Sequence, residues 1–322
     1  MRFIGKIALA MCLAAAAAPA AQADRLAISE YGKITATLPW AVAFKLGYLK
    51  QDGLNITEIV SSSGGGGGLR NLLASGMAIG EVSTASAIAA INQGMDLRIL
   101  MCTADRISDL TWVTMNNGPV HTIKDLAGKR AAFTAPRSTT EMVLRAAIAK
   151  AGLTGKVELL PAGGLGPGLT ALGQGAVAAA PLIDAHLTSQ PDKYRVLFRG
   201  NDIFPEIDHS VVVATRAFTQ QHPDQVRALL RARRRAAEYM EKHPDETAMI
   251  YSRVFGFSLA DARKVLPKYL AGGQFSHGEF SKKGLEAMSR GMLLVDLVKK
   301  PVAWSKIVDQ SFLAPDQRRT LW

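Results

Sequence analysis

Two kinds of hydrophobic pattern alternate along the first part of the chain. Short runs of apolar and β-branched residues predict three strands, at 33–38, 56–60 and 77–82. Between these runs, apolar residues recur every three or four positions and predict two helices, from Pro39 to Leu49 and from Leu69 to Ser75. The order strand, helix, strand, helix, strand is typical of a parallel sheet covered by helices.

The same order returns in the middle of the chain at a constant offset of 99 residues. The matched glycines are Gly53 with Gly152, Gly64 with Gly163, Gly65 with Gly164, and Gly76 with Gly175. The second segment is predicted to contain a strand at 130–134, a helix at 138–151, a strand at 157–160, a glycine-rich turn at 163–168, a helix to Leu172 and a strand to Ala180. The repeat predicts two related α/β lobes.

Two β-rich stretches, 111–115 and 210–215, separate these segments and are predicted to carry the chain between the lobes. Residues 217–322 have helical periodicity, with Pro223 and Pro244 at helix starts and a Ser258–Asp261 capping pattern. Lobe 1 is therefore predicted to comprise residues 24–112 plus 213–322, and lobe 2 residues 113–212.

The first 23 residues have the layout of a secretory signal. Arg2 and Lys6 precede an apolar run, and Ala21-Gln22-Ala23 has the small-x-small pattern of a cleavage site. Cleavage after Ala23 predicts a periplasmic protein and removes Cys12. Cys102 is then the only cysteine, so no intramolecular disulfide and no cysteine-based metal cluster is expected.

The net charge and the positions of the basic residues bear on whether the protein binds nucleic acid. Loss of Arg2 and Lys6 lowers the formal charge from +11 to +9, but the basic residues are not interleaved with aromatic ones as in single-strand nucleic-acid binders. Four arginines, Arg231, Arg233, Arg234 and Arg235, fall on one predicted helix; we interpret them as a solvated face, with docking to a permease as the alternative.

Catalytic and cofactor signatures are missing from the sequence. Neither glycine cluster completes G-x-G-x-x-G or continues into G-K-[ST], and there is no G-x-S-x-G or H-E-x-x-H. The six histidines have no metal-ligand spacing, and we interpret them as surface or hydrogen-bonded core residues. We therefore expect no cofactor, no metal and no enzymatic activity.

Ligands of open α/β sheets bind where strands end and helices begin. The residues predicted to lie there and bind a ligand are Leu38, Pro39, Trp40, Ser62, Ser63, Gly64, Gly65, Ser83, Thr84, Ala85, Arg106, Arg137, Ser138, Thr139, Thr140, Leu182 and Asp184.

Several of these residues have chemistry suited to a small anion. Arg106 and Arg137 each follow a predicted strand, where a guanidinium can bind a carboxylate or sulfonate with two hydrogen bonds. Ser138, Thr139 and Thr140 begin a helix, whose free N–H groups favour an anion, although Ser138 or Thr139 can equally be a helix cap. Trp40 is predicted to stack on the ligand or to pack in the core. Asp184 is predicted to accept from a ligand amine or to pair with Arg106 or Arg137.

Three stretches together resemble a known family. They are residues 41–54, Leu72–Gly76, and Ile123–Arg130 leading to Ser138-Thr139. They resemble the substrate-binding proteins of nitrate, sulfonate, taurine and pyrimidine-precursor importers. The resemblance implies a type II periplasmic-binding-protein fold with two hinge strands, a ligand between the lobes, and partnership with an ABC permease and its ATPase.

We therefore expect a monomeric solute-binding protein that captures a small organic anion and does not bind nucleic acid. Three alternatives stay open: a neutral heterocycle such as a pyrimidine precursor as ligand, a sensory ligand-binding module, and an enzyme on the same fold.

Overall fold

The computed structural model of the protein describes residues 24–62 and 65–322. The predicted signal segment 1–23 and the predicted ligand contacts Ser63 and Gly64 lie outside the described residues. The strands are β1 Asp24–Ser29, β2 Ile56–Ser62, β3 Gly76–Ser83, β4 Leu97–Ala104, β5 Leu110–Met115, β6 Arg130–Phe133, β7 Glu158–Pro161, β8 Ala180–Ile183, β9 Tyr194–Arg199 and β10 Ser210–Thr215. The helices are α1 Leu38–Lys45, α2 Tyr48–Gln51, α3 Gly65–Ala74, α4 Thr84–Asn92, α5 Thr139–Lys150, α6 Leu165–Gly173, α7 Asp184–Ser189, α8 Gly200–Ile203, α9 Arg216–Gln221, α10 Pro223–Lys242, α11 Pro244–Phe255, α12 Leu259–Ala271 and α13 Lys282–Leu294.

Lobe 1 is built on a sheet with the strand order β2, β1, β3, β10, β4. β1 is parallel to β2 and β3, whereas β10 is antiparallel to its neighbours β3 and β4. Leu26, Ala27 and Ile28 of β1 are fully buried, because helices cover both faces of a parallel sheet. The carboxyl ends of β1, β2 and β3 consequently meet at one edge.

Lobe 2 repeats this arrangement. β8, β5 and β9 form one sheet and β6 pairs in parallel with β7, while a bridge from Ala131 to Ala179 joins β6 to the start of β8. The continuous order is β7, β6, β8, β5, β9, with β5 antiparallel to β8 and β9. Each lobe thus has three parallel strands and one antiparallel strand beside them, as the internal repeat predicts.

The stretches predicted to connect the lobes form β5 and β10. The chain passes from β4 to β5 through residues 105–109 and returns from β9 to β10 through residues 200–209. The predicted lobe boundaries, 112/113 and 212/213, fall inside β5 and β10, and the division itself stays a prediction.

The strand predicted at 33–38 is wrong. The first strand lies nearer the predicted cleavage site, at Asp24–Ser29, and residues 35–37 form a turn of 3₁₀ helix that continues into α1. Ile34, Thr35 and Thr37 favour a strand by propensity. Pro39, at the start of α1, fixes a helical φ immediately after them, and burial of the following apolar residues stabilises the helix.

The C-terminal helices begin as predicted, at Pro223, Pro244 and after the cap Ser258, whose Oγ accepts from the Asp261 N–H at 3.0 Å. The interpretation of the arginines of α10 as one solvated face is wrong for Arg233, which is fully buried. Arg234 pairs with Asp316 at 2.6 Å, and Arg235 lies over the Tyr48 ring.

Cys102 lies in β4 and is fully buried, and burial raises the pKa of its thiol well above its usual range. Within residues 24–62 and 65–322, no helix is both long enough and apolar enough to span a membrane.

Candidate functional site: a cavity between the lobes

A cavity of about 550 Å³ lies between the two lobes. Its walls come from the strand ends of both lobes and from the two segments that connect them. Three groups line it: Ser29, Glu30, Lys33, Ile34, Ala36, Val82, Ser83 and Ser86 from lobe 1; Thr134 to Thr140, Gly163 to Pro167 and Ile183 from lobe 2; and Ile107, Asp109, Leu110, His209, Ser210 and Gln274 at the hinge.

The lobe 2 wall is centred on Arg137, at the turn between β6 and α5. Its backbone N–H donates to Glu141 Oε2 at 2.6 Å, which holds the turn against the helix. Within the described part of the chain, the Arg137 guanidinium has no hydrogen-bond or ion-pair partner, and the residue is exposed. Its φ is +63°, a left-handed conformation that costs a non-glycine residue on the order of 1 kcal/mol or more.

Three hydroxyls surround the first turn of α5. Ser138 caps the helix, its Oγ accepting from the Glu141 N–H at 3.3 Å, and it lies 2.8 Å from Thr140 Oγ1. Thr140 Oγ1 accepts from the Thr134 N–H at 2.9 Å and lies 2.7 Å from Thr134 Oγ1. Ser138 is thus both a helix cap and a cavity residue, so the two interpretations of the sequence coexist.

A second helix start faces the same space. The turn 163–166 leads from β7 into α6, and Gly163 and Gly164 have φ of +84° and +153°, which glycine tolerates without strain. The first N–H groups of a helix have no acceptor within it. Two helix N-termini and one guanidinium therefore give the lobe 2 wall a surplus of hydrogen-bond donors and positive potential.

The lobe 1 wall begins at the end of β1. Ser29 is buried, and its Oγ has no partner among the described residues. Gly68 of α3 approaches this hydroxyl so closely that no side chain fits there. Glu30 adopts φ of +58°, so two non-glycine residues of the cavity, Glu30 and Arg137, have left-handed backbones. Strain of this kind is concentrated at functional sites.

Ser83 completes this wall at the end of β3. It caps α4 by accepting from the Ser86 N–H at 3.2 Å, and the two hydroxyls are 2.6 Å apart. Ser62 ends β2 and has a buried Oγ with no partner among the described residues. Gly65, at the start of α3, follows it at the same edge of the sheet.

The hinge side of the cavity contains buried titratable groups. Asp109 Oδ1 accepts from Gln274 Nε2 at 3.1 Å, and burial raises the pKa of Asp109 to about 6. Because burial disfavours the charged form of a histidine as well, it lowers the pKa of His209 to about 4, and the ring is neutral at pH 7. Ser210 Oγ donates to the buried Glu81 Oε1 at 2.8 Å.

The structure brings together Ser83, Arg137, Ser138, Thr139 and Thr140 of the predicted set. Leu38, Pro39 and Trp40 do not line the cavity, because they lie in α1 and are buried. Trp40 Nε1 donates to Glu81 Oε2 at 2.5 Å, which confirms the core interpretation of this residue.

Other residues predicted to contact the ligand are buried or are bonded to protein groups. Thr84 and Ala85 are buried in α4, and Thr84 Oγ1 donates to the Asp208 carbonyl at 2.6 Å. Leu182 lies inside β8 and is fully buried, because β8 extends to Ile183 and does not end near Ala180. Arg106 pairs with Asp105 at 3.0 Å, and Asp184 accepts from Arg199 at 2.6 Å.

The residues that sequence reasoning missed include Ser29, Glu30, Lys33, Asp109, His209, Ser210 and Gln274. One signal for them was present, because Asp109 and His209-Ser210 precede or begin the two predicted hinge strands, whose starts face the cleft. In the part of the chain described, no group of three or more histidine, cysteine, aspartate or glutamate side chains is arranged to hold a metal ion.

Comparison with known proteins places this architecture in a family. The NMT1/THI5-like family model matches residues 35–247. The chain belongs to this family. No curated protein sequence matches it.

Three solved structures have a fold similar to that of this chain. The alkanesulfonate-binding protein SsuA from Xanthomonas axonopodis pv. citri, bound to MOPS, is 18% identical with a TM-score of 0.73, covering 91% of this chain and 100% of that one. The Candida albicans CA3427 product, described as having the generic periplasmic binding protein fold, is 16% identical with a TM-score of 0.69, covering 89% and 96%. The desulfurization enzyme DSZB is 16% identical with a TM-score of 0.61, covering 90% and 97%. This NMT1/THI5-like chain therefore has the periplasmic-binding-protein fold, as expected.

Proposed function

We propose that this protein is the periplasmic solute-binding component of an ABC importer and that it captures a small organic anion, a sulfonate or a carboxylate, between its lobes. The observation that carries the proposal is that Arg137 lines the cavity beside the start of α5 and that its guanidinium has no hydrogen-bond or ion-pair partner among the described residues. A guanidinium and helix N–H groups together suit an oxyanion with several acceptor oxygens.

The rest of the cavity suits an apolar or mixed solute body. Its volume of about 550 Å³ lies within the range of ligand pockets, roughly 300–1,000 Å³. Apolar side chains from both lobes and the hinge line it, among them Ile34, Val82, Ile107, Leu110 and Ile183. Alkanesulfonates and organic carboxylates combine such a body with an anionic head.

In this proposal the protein is exported and acts as a monomer, and the lobes close on the solute by rotating about β5 and β10. The closed form is then recognised by an ABC permease with its ATPase. The SsuA likeness and the family membership support this role. Compaction on ligand addition, measured by small-angle X-ray scattering, is the expected signature of closure.

The likeness to DSZB raises the alternative of an enzyme. The cavity geometry gives this alternative little support. His209 Nε2 lies 3.1 Å from the Arg106 carbonyl and therefore donates its proton there, and none of the described serines of the lining is hydrogen-bonded to His209. Without such a pair, His209 does not activate any of the described lining serines as a nucleophile.

The test is isothermal titration of mature protein, residues 24–322, with propane-1-sulfonate, MOPS and butyrate. At least one anion is expected to bind, and Arg137→Gln is expected to weaken its binding at least about tenfold, because a hydrogen bond to a charged group contributes roughly 1.5–3 kcal/mol.

Arg130→Gln is the matched control, since Arg130 is also an exposed arginine of lobe 2 but does not line the cavity. Its affinity should equal that of the unmodified protein. Binding that is insensitive to Arg137→Gln, or turnover of a bound anion, would contradict the proposal.

A further inference from the structure

The hinge side of the cavity is lined by four polar residues, Asp109, His209, Ser210 and Gln274, of which we call the first three the hinge-side acceptors. They lie on the two segments that pass between the lobes, Asp109 just before β5 and the other two at the start of β10. Their protons determine which part of a solute they can bind. The contacts behind them show where those protons are.

Ser210 is oriented by a carboxylate beneath the cavity. Its hydroxyl donates to Glu81 Oε1 at 2.8 Å, and the other oxygen, Oε2, accepts from Trp40 Nε1. Burial raises the pKa of Glu81, and the nearby Arg233 guanidinium and these hydrogen bonds oppose the rise. Arg233 is fully buried and keeps its charge, which favours the ionised form of the nearby Glu81 carboxyl. With its proton given to Glu81, Ser210 offers lone pairs only.

A hydrogen bond also determines which ring nitrogen of His209 carries the proton. Its Nε2 is the donor to the Arg106 carbonyl, because a carbonyl oxygen only accepts. The neutral ring therefore carries its proton on Nε2, and Nδ1 is an acceptor with no partner among the described residues. His209 thus adds a second lone pair to the hinge side.

Asp109 adds a carboxyl group. Gln274 donates one amide N–H to Oδ1 at 3.1 Å, and its oxygen accepts from the Ser108 N–H at 3.1 Å, which leaves the second N–H of Gln274 as a donor beside the three acceptors. Above a pH of about 6, Asp109 is mainly ionised and only accepts. The cations of the described lining, Lys33 and Arg137, are both exposed and do not belong to the hinge side.

We infer that the solute carries a hydrogen-bond donor, an N–H or O–H group, at the end that faces Asp109, His209 and Ser210, in addition to the anionic group held by lobe 2. The cavity therefore selects amino- or hydroxy-substituted organic anions over plain alkyl ones. This inference rests on the proposed function, because it takes the cavity as the solute site and Arg137 as the partner of the anion.

The experiment compares matched probes by isothermal titration at pH 7.5. The plain members are ethane-, propane- and butane-1-sulfonate, and each is paired with its ω-amino and ω-hydroxy derivative. At the chain length that spans the cavity, the substituted probe is expected to bind at least about tenfold more tightly than its plain partner, the effect of one hydrogen bond to a charged or buried acceptor.

Equal affinities within every matched set, together with a loss of binding in Arg137→Gln, would overturn this inference and leave the proposed function intact. If no probe binds, or if binding does not require Arg137, both proposals fail.

Glu81→Gln tests the proton assignment itself. Because Trp40 can only donate, it holds the amide oxygen, and the amide NH₂ then points to Ser210 and turns its hydroxyl towards the cavity as a donor. An ω-ammonium cannot accept, whereas an ω-hydroxyl can. The variant is therefore expected to lose most of the amino advantage, about fivefold or more, and to keep more of the hydroxy advantage.

Ser210→Ala is the comparison variant, since it removes the hydroxyl and should reduce both advantages equally. It also supplies the test if Glu81→Gln does not fold. Plain propane-1-sulfonate should bind Arg130→Gln, whose position lies outside the cavity lining, within about twofold of the unmodified protein. A Glu81→Gln variant that binds all probes equally more weakly, or an unchanged amino advantage in Ser210→Ala, would overturn the inference.

Discussion

The two lobes share a strand order but differ in where their charged residues lie. In lobe 2, the charged group at the cavity is Arg137, an exposed side chain on a strained turn with no described partner. In lobe 1, Glu30 and Lys33 line the cavity, whereas Glu81 and Arg233 are fully buried near each other. The difference teaches that lobe 2 offers an exposed cation directly to a solute, whereas lobe 1 also contains buried charge that sets the hydrogen-bonding direction of a neutral group, the Ser210 hydroxyl.

The largest effect is expected from Arg233→Leu, because it leaves Glu81 buried without its counter-charge and frees the carbonyls of Thr103 and Ser276, to which Arg233 donates at 2.6 Å. Removing one member of a buried ionic pair costs roughly 3–5 kcal/mol. We expect a loss of that order in the free energy of unfolding, measured by urea denaturation.

Arg231→Leu is the control on the same helix. Its side chain is 56% exposed, so its loss should cost less than about 1 kcal/mol. Adding Glu81→Gln to Arg233→Leu should recover part of the stability, since no uncompensated charge remains. A lack of recovery would show that the Arg233 effect is one of packing alone and would weaken the contrast between the lobes.

A smaller effect of opposite sign is expected from Asp208→Asn. Burial, followed in importance by the neighbouring carboxyls of Asp105 and Glu206, raises the pKa of Asp208 to about 8, although the Ser281 N–H partly opposes the rise. Between pH 4 and 8 the folded state thus holds a proton that the unfolded chain has released. The stability contributed by this proton falls as pH rises through that window.

Asparagine carries no titrating charge, so the variant should gain on the order of 3 kcal/mol over the parent at pH 9 and show little difference at pH 4. Urea denaturation at both pH values measures this. Asp224→Asn is the control, because the Asp224 side chain is 99% exposed. A pH-independent difference between Asp208→Asn and the parent would rule out the assigned titration.

The smallest effect concerns the strained turn of lobe 2. Arg137→Gly removes the cost of a left-handed backbone and should raise the free energy of unfolding by about 1 kcal/mol, while it abolishes anion binding. Arg137→Gln keeps the strained backbone and should lose binding without the gain. Equal stabilities of the two variants would show that the turn stores no strain.

The same contrast explains what the sequence could predict. In lobe 2, the predicted strand 130–134 and helix 138–151 match β6 and α5, because Ser138 to Thr140 mark the helix start, but the strand predicted to end at Ala180 begins there. In lobe 1, β-branched residues suggested a strand at 33–38, but Pro39 and the burial of Trp40 made the segment helical. That error moved the predicted edge of the sheet away from Ser29, Glu30 and Lys33.

The hinge-side acceptors could not be predicted from the sequence, for a different reason. Their roles depend on partners far away in the chain, such as Gln274 for Asp109 and Glu81 for Ser210. Local pattern contains no information about such pairs. Only the position of the hinge strands was visible, and those strands lie where they were predicted.

The positions of the antiparallel strands, β5 in the lobe 2 sheet and β10 in the lobe 1 sheet, also constrain the order in which the protein folds. All pairings of the lobe 2 sheet join residues between Leu110 and Arg199, whereas the lobe 1 sheet needs Ser210 beside Ser83. During synthesis from the N-terminus, the lobe 2 sheet can thus form before β10 is available to pair with β3 and β4. Since pairings distant in sequence form slowly, lobe 1 should be the last to become resistant to proteolysis.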